Sequence, residues 1–188
     1  AGQSYTLTYP SAIVDGGFMK TDSSGNLSFA TPGLTLSSET ATTSGTAHTI
    51  GSLPSGIKQI NLMLEGVSFD GTGAALDFTI GDAGGLETSG YLGTDAKLDG
   101  SETLASATAA WETHIHTDSA AYLVDGHFQL SLKDASNYTW VASWNFSSGG
   151  GNNRVTVGAG VKSLSAELTQ ISVSGGTFDN GSIAVSYF

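Results

Sequence analysis

The chain has 188 residues, and 39% of them are hydrophobic, so the sequence is long enough and apolar enough for one well-cored domain rather than a disordered chain. Its 17 acidic and 6 basic residues give a formal net charge of −11, and because the basic residues are spread singly, the sequence predicts no nucleic-acid partner. It contains no cysteine for a disulfide or a thiolate metal site, and no apolar run approaches the ~20 residues that cross a bilayer, so we expect no membrane partner.

The first 33 residues differ from the rest of the sequence. They contain short extended pieces, interrupted by Gly16 and Gly17, with few apolar residues to form a core of their own. We interpret residues 1–33 as an extended N-terminal arm or small hairpin that docks on a neighbouring surface. The alternative is an edge strand and hairpin of the main domain. The side chains that an arm would present to a partner are Tyr5, Leu7, Tyr9, Phe18, Met19 and Phe29.

Residues 34–188 show the period-2 alternation of strands that bury one face. Hydrophobic residues occupy every second position in 60–64, 76–80 and 128–132. The 26 glycines, against 3 prolines, suit tight turns between such segments. Roughly ten short strands at ~8–12 residue spacing, without a convincing amphipathic helix, predict an all-β fold, an antiparallel β-sandwich or jelly roll.

Residues 93–110 are the least regular part of this domain. They include Asp95, Asp99 and a run of small residues, which indicates a loop that leaves the sandwich. Trp111 follows directly and is the candidate for an exposed aromatic side chain. If the protein binds a receptor, we expect Trp111, Asp95 and Asp99 to contact it.

Four aromatic residues, Tyr138, Trp140, Trp144 and Phe146, share one face of a predicted strand. Aromatic faces stack on sugar rings, so this stripe is a candidate binding platform. A core strand of a sandwich shows the same pattern, because aromatic side chains bury large apolar areas. We favour the core interpretation.

A histidine pair lies near the start of the following region. His114 and His116 are two residues apart, so on a strand both side chains point to one face, with Asp118 nearby. Zinc and iron accept such ligands. A hydrated strand face or contacts around an oligomer axis are the other interpretations. Because no third histidine is close in the sequence, we predict no metal and no other cofactor.

No motif for covalent or phosphate chemistry is present. The sequence lacks G-x-S-x-G and G-x-x-x-x-G-K, and residues 158–163 only imitate the latter, without a glycine before Lys162. A glycosidase requires two carboxylates ~5–10 Å apart, and 17 acidic residues make some such pair almost inevitable. The sequence therefore predicts no enzymatic activity and no catalytic residue.

Two separated motifs resemble segments of tailed-bacteriophage virion proteins. The first comprises Lys58–Ile60 and Leu62–Ser68, followed by Ile80–Tyr91, which reads IGDAGGLETSGY. The second comprises Leu164–Leu168 and Gly175–Ile183, which contains Phe-Asp-x-Gly-Ser-Ile. Proteins of marine and cyanobacterial phages with similar segments are often labelled tail fibre. The resemblance covers roughly residues 44–188.

The resemblance implies a phage virion protein with a β-sandwich or jelly-roll module, commonly a homotrimer, and it brings no catalytic residues. Phe188 departs from it, because an acidic residue often ends the relatives. The first expected function is a capsid decoration (cement) protein, located in the virion and assembled in the host cytoplasm, whose arm binds the major capsid protein. The second is a tail-fibre module that binds a host-surface glycan or protein receptor.

Overall fold

The computed structural model of the protein describes residues 17–30, 33–71, 74–98, 103–105, 108–117, 119–151 and 153–188. The chain divides into two compact units, Ala1–Leu34 and Thr35–Phe188. Within the described ranges, no helix has the length and apolar character needed to cross a membrane.

The described secondary structure consists of β-strands. They are β1 Phe18–Thr21, β2 Leu27–Ala30, β3 Thr35–Leu36, β4 Thr40–Ala41, β5 Ala47–Ile50, β6 Gln59–Phe69, β7 Ala74–Asp82, β8 Gly85–Leu86, β9 Leu92–Leu98, β10 Thr103–Ala105, β11 Trp111–Thr117, β12 Val124–Asp134, β13 Thr139–Ser148, β14 Arg154–Ser163, β15 Gln170–Ser174 and β16 Phe178–Tyr187.

The N-terminal unit contains an antiparallel hairpin of β1 and β2. The Asp22 side chain closes its turn, since Oδ1 accepts hydrogen bonds from the backbone N–H groups of Ser24 and Asn26, each at 2.9 Å. Hydrogen bonds from Asn26 lower the pKa of the Asp22 carboxyl. An aspartate that bonds to the backbone two to four residues later is typical turn chemistry.

The second unit contains a large antiparallel sheet with the strand order β10-β9-β14-β13-β12-β6-β16-β3, in which β4 also pairs with β16. The hairpin-connected strands β12, β13 and β14 form a meander at its centre. On the other side of β12, β6 pairs with the distant β16, with Ile60 opposite Tyr187. Strands on both sides therefore place β6 and β12 in the interior of the sheet.

A smaller antiparallel sheet has the order β11-β7-β15-β5, and β8 pairs with β7. The two sheets pack face to face through aromatic rings. Phe78 of the small sheet stacks against Phe128 and Phe146 of the large sheet, with centroid separations of 4.5 and 5.4 Å. The predicted all-β sandwich is therefore confirmed. Its central meander distinguishes the strand order from the paired Greek keys of an eight-stranded jelly roll.

The loop predicted over residues 93–110 is partly wrong, because 92–98 and 103–105 are strands. The segment β9 pairs with β14 along its whole length, from Leu92 opposite Val161 to Leu98 opposite Val155. Aspartate, glycine and alanine have low strand propensity, but pairing with a neighbour overrides that preference.

Candidate functional site

Trp111 is a core residue, and the prediction of an exposed aromatic side chain at this position is wrong. Its side chain is 2% exposed, and its ring centroid lies 4.8 Å from that of Tyr91 and 5.4 Å from that of Phe128. The indole Nε1–H donates to the Leu92 carbonyl at 3.3 Å. Gly160 leaves room for the indole, because a Cβ there would collide with it. Trp111 is therefore not available to a receptor.

Asp95 is also buried, at 1% exposed, so the predicted receptor contact at this residue is wrong as well. One carboxylate oxygen accepts a hydrogen bond from the His114 backbone N–H at 2.6 Å, and the other lies 2.6 Å from His114 Nδ1. The carboxylate thereby ties β9 of the large sheet to β11 of the small sheet. Asp99, the third predicted receptor contact, lies outside the described residues.

The structure describes the side chain of only one member of the predicted histidine pair. His114 contacts Asp95, whereas the side chain of His116 and residue Asp118 lie outside the described part. Among the described residues, no group of three or more His, Cys, Asp or Glu side chains is arranged to hold a metal ion.

The aromatic stripe belongs mainly to the core. Trp140, Trp144 and Phe146 are buried, with exposures of 2%, 4% and 1%, so the core interpretation is confirmed for these three residues. Tyr138 is only partly buried and packs against the end of the core. Its φ angle of 48° lies in the left-handed region, which few non-glycine residues adopt.

The hairpin of the N-terminal unit presents large apolar side chains. Phe18 and Met19 are 50% and 49% exposed, and Met19 lies opposite the partly buried Phe29 in the β1–β2 pair. Side chains of this size are available for a partner protein. The other predicted arm contacts, Tyr5, Leu7 and Tyr9, lie outside the described residues.

The motif at residues 80–91 has a structural role. The buried Tyr91 hydroxyl accepts from the Ile80 N–H at 2.9 Å and lies 2.9 Å from the Glu87 carbonyl oxygen. Burial raises the pKa of this phenol to about 12. The buried Lys162 of β14 donates to the Glu87 carboxylate and, at 2.7 Å, to the Ser163 carbonyl. These contacts fasten the loop after β8 to the large sheet.

Asp82 anchors the other side of the same motif. Its side chain accepts hydrogen bonds from Ser165 Oγ at 2.5 Å and from the Gly84 N–H at 2.8 Å, and these bonds lower the pKa of the carboxyl. Gln170 Nε2 donates to the Asp82 carbonyl at 2.8 Å. The motif thus connects the turn after β7 to the loop between β14 and β15.

A surface that the sequence did not reveal lies on the outer face of the large sheet. We define the apolar face as the exposed side chains of Leu92, Leu98, Val141, Val155 and Val157, whose exposures run from 41% to 62%. The strand register places Leu98 opposite Val155. No charged residue occupies an outward position of β9 or β14, which hold leucine, valine, alanine, threonine and, at the end of β14, Ser163. The apolar face is therefore continuous across these strands.

The residue pattern of β14 makes the apolar face difficult to recognise from the sequence. Valines at alternate positions predict a buried face, but Val155 and Val157 point outward while Thr156 is buried. Glycines take the next two inward positions, because a Cβ at Gly158 would collide with the Trp144 ring. In the sequence, Gly158 and Gly160 alternate with aliphatic residues, and this pattern indicates a strand that packs closely on large side chains.

Comparison of the chain with protein-family models, curated proteins and solved structures found no match. The resemblance to phage virion proteins therefore stays a prediction that depends on the two motifs.

Proposed function

We propose that the chain is a structural protein of a phage particle, of the capsid decoration type. The observation that supports this proposal most directly is the apolar face. Soluble monomers rarely expose a contiguous apolar patch of large area, and such patches mark protein interfaces. An open sheet face lined by Leu92, Leu98, Val155 and Val157 suits a permanent structural contact better than it suits the concave site of an enzyme.

Other copies of the chain are the partners that this face fits best. Each copy has a net charge of −11, so contacts through acidic surfaces would be repulsive. The outward positions of β9 and β14 are free of charge, so two copies can approach there without opposed carboxylates. The homotrimer implied by the resemblance would use this face.

The N-terminal unit provides the second contact in this proposal. Phe18 and Met19 supply exposed apolar surface in a unit that is compact by itself. We assign this hairpin to the major capsid protein, since a decoration protein requires one surface for its own copies and another for the shell. The tail-fibre alternative has lost support, because two of its three predicted contacts, Trp111 and Asp95, are buried.

Copy number in purified particles tests the proposal. We expect hundreds of copies per particle, quantified against the major capsid protein, and heads without the protein should break at lower temperature or on addition of a chelator. A few dozen copies or fewer would contradict the decoration role and favour the tail.

Removing residues 1–33 should separate folding from attachment. We expect the remaining chain to keep its melting temperature, because Thr35–Phe188 forms a compact unit, and to lose co-sedimentation with purified heads. The sharper variant is Phe18→Ser with Met19→Ser, and the exposed Lys20→Ser on the same hairpin is its control. Undiminished binding by the truncated chain would show that the hairpin is not the attachment point.

A further inference from the structure

A groove of about 260 Å³ runs along β16 on the outer face of the large sheet. Met63 of β6 lies opposite Ala184 of β16. Two residues further along β6, Glu65 lies opposite Ser182. Because alanine and serine have short side chains, β16 forms the floor of the groove, and the longer side chains of β6 form one wall. The register of the two strands therefore produces the groove.

The segment between β3 and β4 forms the second wall. Ser37 holds this segment against β16, because its N–H donates to the Val185 carbonyl at 2.7 Å and its Oγ accepts from the Val185 N–H at 2.9 Å. Leu36 lies at one end of the wall and Glu39 lies toward the other. The groove therefore has an apolar end at Leu36 and an acidic end, which is flanked by Glu39 on one wall and Glu65 on the other.

No basic side chain neutralises the acidic end of the groove among the described residues. The ion pairs described for the chain connect β9 with β11 and β14 with the loop after β8. Glu39 and Glu65 are both exposed, so water solvates their charges. Two carboxylates beside an apolar floor favour a ligand that combines a positive charge with an aliphatic chain.

The charge of the groove distinguishes it from a cavity of about 250 Å³ beside Trp140, at one end of the sandwich. Lys58 and Glu167 both line that cavity, so its charges balance and favour neither sign of ligand charge. Among the described residues that line the groove, two are glutamates and none is basic. Charge complementarity therefore indicates a cationic ligand for the groove.

We propose that the groove binds a lysine side chain of a partner protein. The aliphatic stem lies along Leu36 and Met63, as lysine stems do on apolar surfaces, and the ammonium lies between Glu39 and Glu65. Outward residues two apart on a strand are separated by about 7 Å, a distance that an extended lysine side chain spans. An ammonium has three donors that can bond to carboxylates on two walls, whereas the planar fork of arginine matches a single carboxylate better.

A protein segment suits the groove better than a free amine does. Leu36 is 64% exposed and belongs to β3, the last strand in the order of the large sheet, so apolar surface is available to the residues next to the lysine. The net charge of −11 also attracts a basic partner from a distance. The groove residues all belong to the second unit and are not those of the apolar face. The site is therefore additional to the contacts assigned above and does not depend on them.

Methyl NMR of the full chain tests the site, because the chain has two methionines. Met63 lies in the groove and Met19 lies in the N-terminal hairpin, so one spectrum contains the reporter and its control, and Met63→Leu assigns the signals. The probes are three blocked peptides, acetyl-Val-X-Val-amide, in which X is lysine, norleucine or glutamate. We expect the lysine peptide to shift the Met63 signal saturably and to bind about tenfold more tightly than the other two.

The peptides also define the results that would contradict the proposal. Absence of a saturable Met63 shift with the lysine peptide, or equal binding of the lysine and norleucine peptides, would overturn it. Equal shifts of the Met19 and Met63 signals would show non-specific binding, with the same consequence. Binding of n-pentylammonium without binding of the lysine peptide would indicate a free-amine site and overturn the assignment to a partner protein.

Variants at the two exposed glutamates test the charge without disturbing the core. Glu39→Gln and Glu65→Gln should each weaken binding of the lysine peptide about two- to fivefold, the effect expected for one solvent-exposed ion pair. Glu167→Gln, at an exposed glutamate outside the groove, is the matched control and should bind as the unaltered chain does. Full affinity in both groove variants would overturn the assignment. A changed mass of the double variant in light scattering would identify a second copy of the chain as the occupant and would overturn it as well.

Discussion

Single buried polar residues connect the two sheets at two places. Asp95 of β9 contacts His114 of β11, and Lys162 of β14 contacts Glu87, in the loop that follows β8. Removing one member of a buried ion pair lowers the free energy of unfolding by more than the intact pair contributes to it. These residues therefore fix how the sheets align.

Tyr91→Phe tests the connection at the 80–91 motif. The substitution removes the hydroxyl that meets both backbone groups of Ile80 and the Glu87 carbonyl, and we expect it to lower the free energy of unfolding by about 1–3 kcal/mol. Urea denaturation measures this change. Tyr122→Phe, at a partly buried tyrosine of a surface turn, should change stability by less than about 0.5 kcal/mol. Similar effects from the two substitutions would mean that the Tyr91 hydrogen bonds do not stabilise the motif.

Asp77 makes stability depend on pH. Burial, and then the Glu112 carboxylate opposite it on β11, raises the pKa of Asp77 from 3.8 to about 6. The folded state therefore holds the Asp77 proton more tightly than the unfolded chain does. The stability that this carboxyl contributes is present below about pH 4 and is lost as pH rises toward about 6.

Asp77→Asn should abolish this loss of stability with rising pH. Between about pH 4 and pH 7, we expect the free energy of unfolding of the variant to rise by about 1 kcal/mol relative to that of the unaltered chain. This value is reduced because solvent reaches the partly exposed Asp77 side chain. Urea denaturation at both pH values gives the difference, with the exposed Glu39→Gln as the control. A constant difference across this range would show that Asp77 titrates as it does in the unfolded chain.

At the level of strands, alternation in the sequence predicted β6, β7, β12 and β13 because their apolar residues lie on one buried face. It did not predict β9, whose strand structure comes from pairing with β14. It also did not indicate that Val155 and Val157 of β14 point outward. In both strands the determining contacts come from residues distant in the sequence, and a local pattern does not contain them.

The same limit applies to the sites. The candidate receptor contact at Trp111 followed from its position after an irregular segment, but its burial depends on the space left by Gly160. The cavity beside Trp140 joins segments from three parts of the chain. From the sequence, only the aromatic stripe that contains Trp140 could be recognised. Its interpretation as a core strand correctly predicted that the Trp140 ring is buried, but it did not predict the cavity.

Gly160→Ala tests how closely β14 packs on the small sheet. The added Cβ would collide with the Trp111 indole and lie 2.6 Å from the Leu92 carbonyl oxygen, and overpacking of this kind costs about 1–3 kcal/mol. Thermal and urea unfolding measure the change. Gly149→Ala is the control, since a Cβ there has no atom within 4 Å. Unaltered stability of Gly160→Ala would show that β14 shifts freely.

At the level of the whole molecule, the net charge and the apolar face have opposite effects on self-association. A net charge of −11 keeps copies apart in solution, whereas the outward residues of β9 and β14 favour association. Self-association should therefore strengthen as salt screens the charge, within a Debye length of about 10 Å at 0.1 M.

Val157→Lys tests the association directly. We expect the unaltered chain to form an oligomer, a trimer if the resemblance holds, and the variant to be monomeric, because desolvating the charge of a lysine on the apolar face is costly. Light scattering after size-exclusion chromatography gives the mass. Thr177→Lys, an exposed turn residue outside both sheets, is the control. If the unaltered chain is monomeric, or if Val157→Lys has the same mass, the apolar face is not the contact between copies.

The pairing of β6 with β16 affects how the protein is made. The ribosome releases β6 more than a hundred residues before β16, yet the two strands are neighbours from Ile60 opposite Tyr187 to Phe69 opposite Phe178. Until the last strand emerges, one side of β6 has open hydrogen-bonding groups that other nascent chains can pair with. Closure over so long a sequence separation is slow. The sandwich therefore completes its fold only after synthesis has passed residue 187, and its yield depends on how well β6 is shielded during that interval.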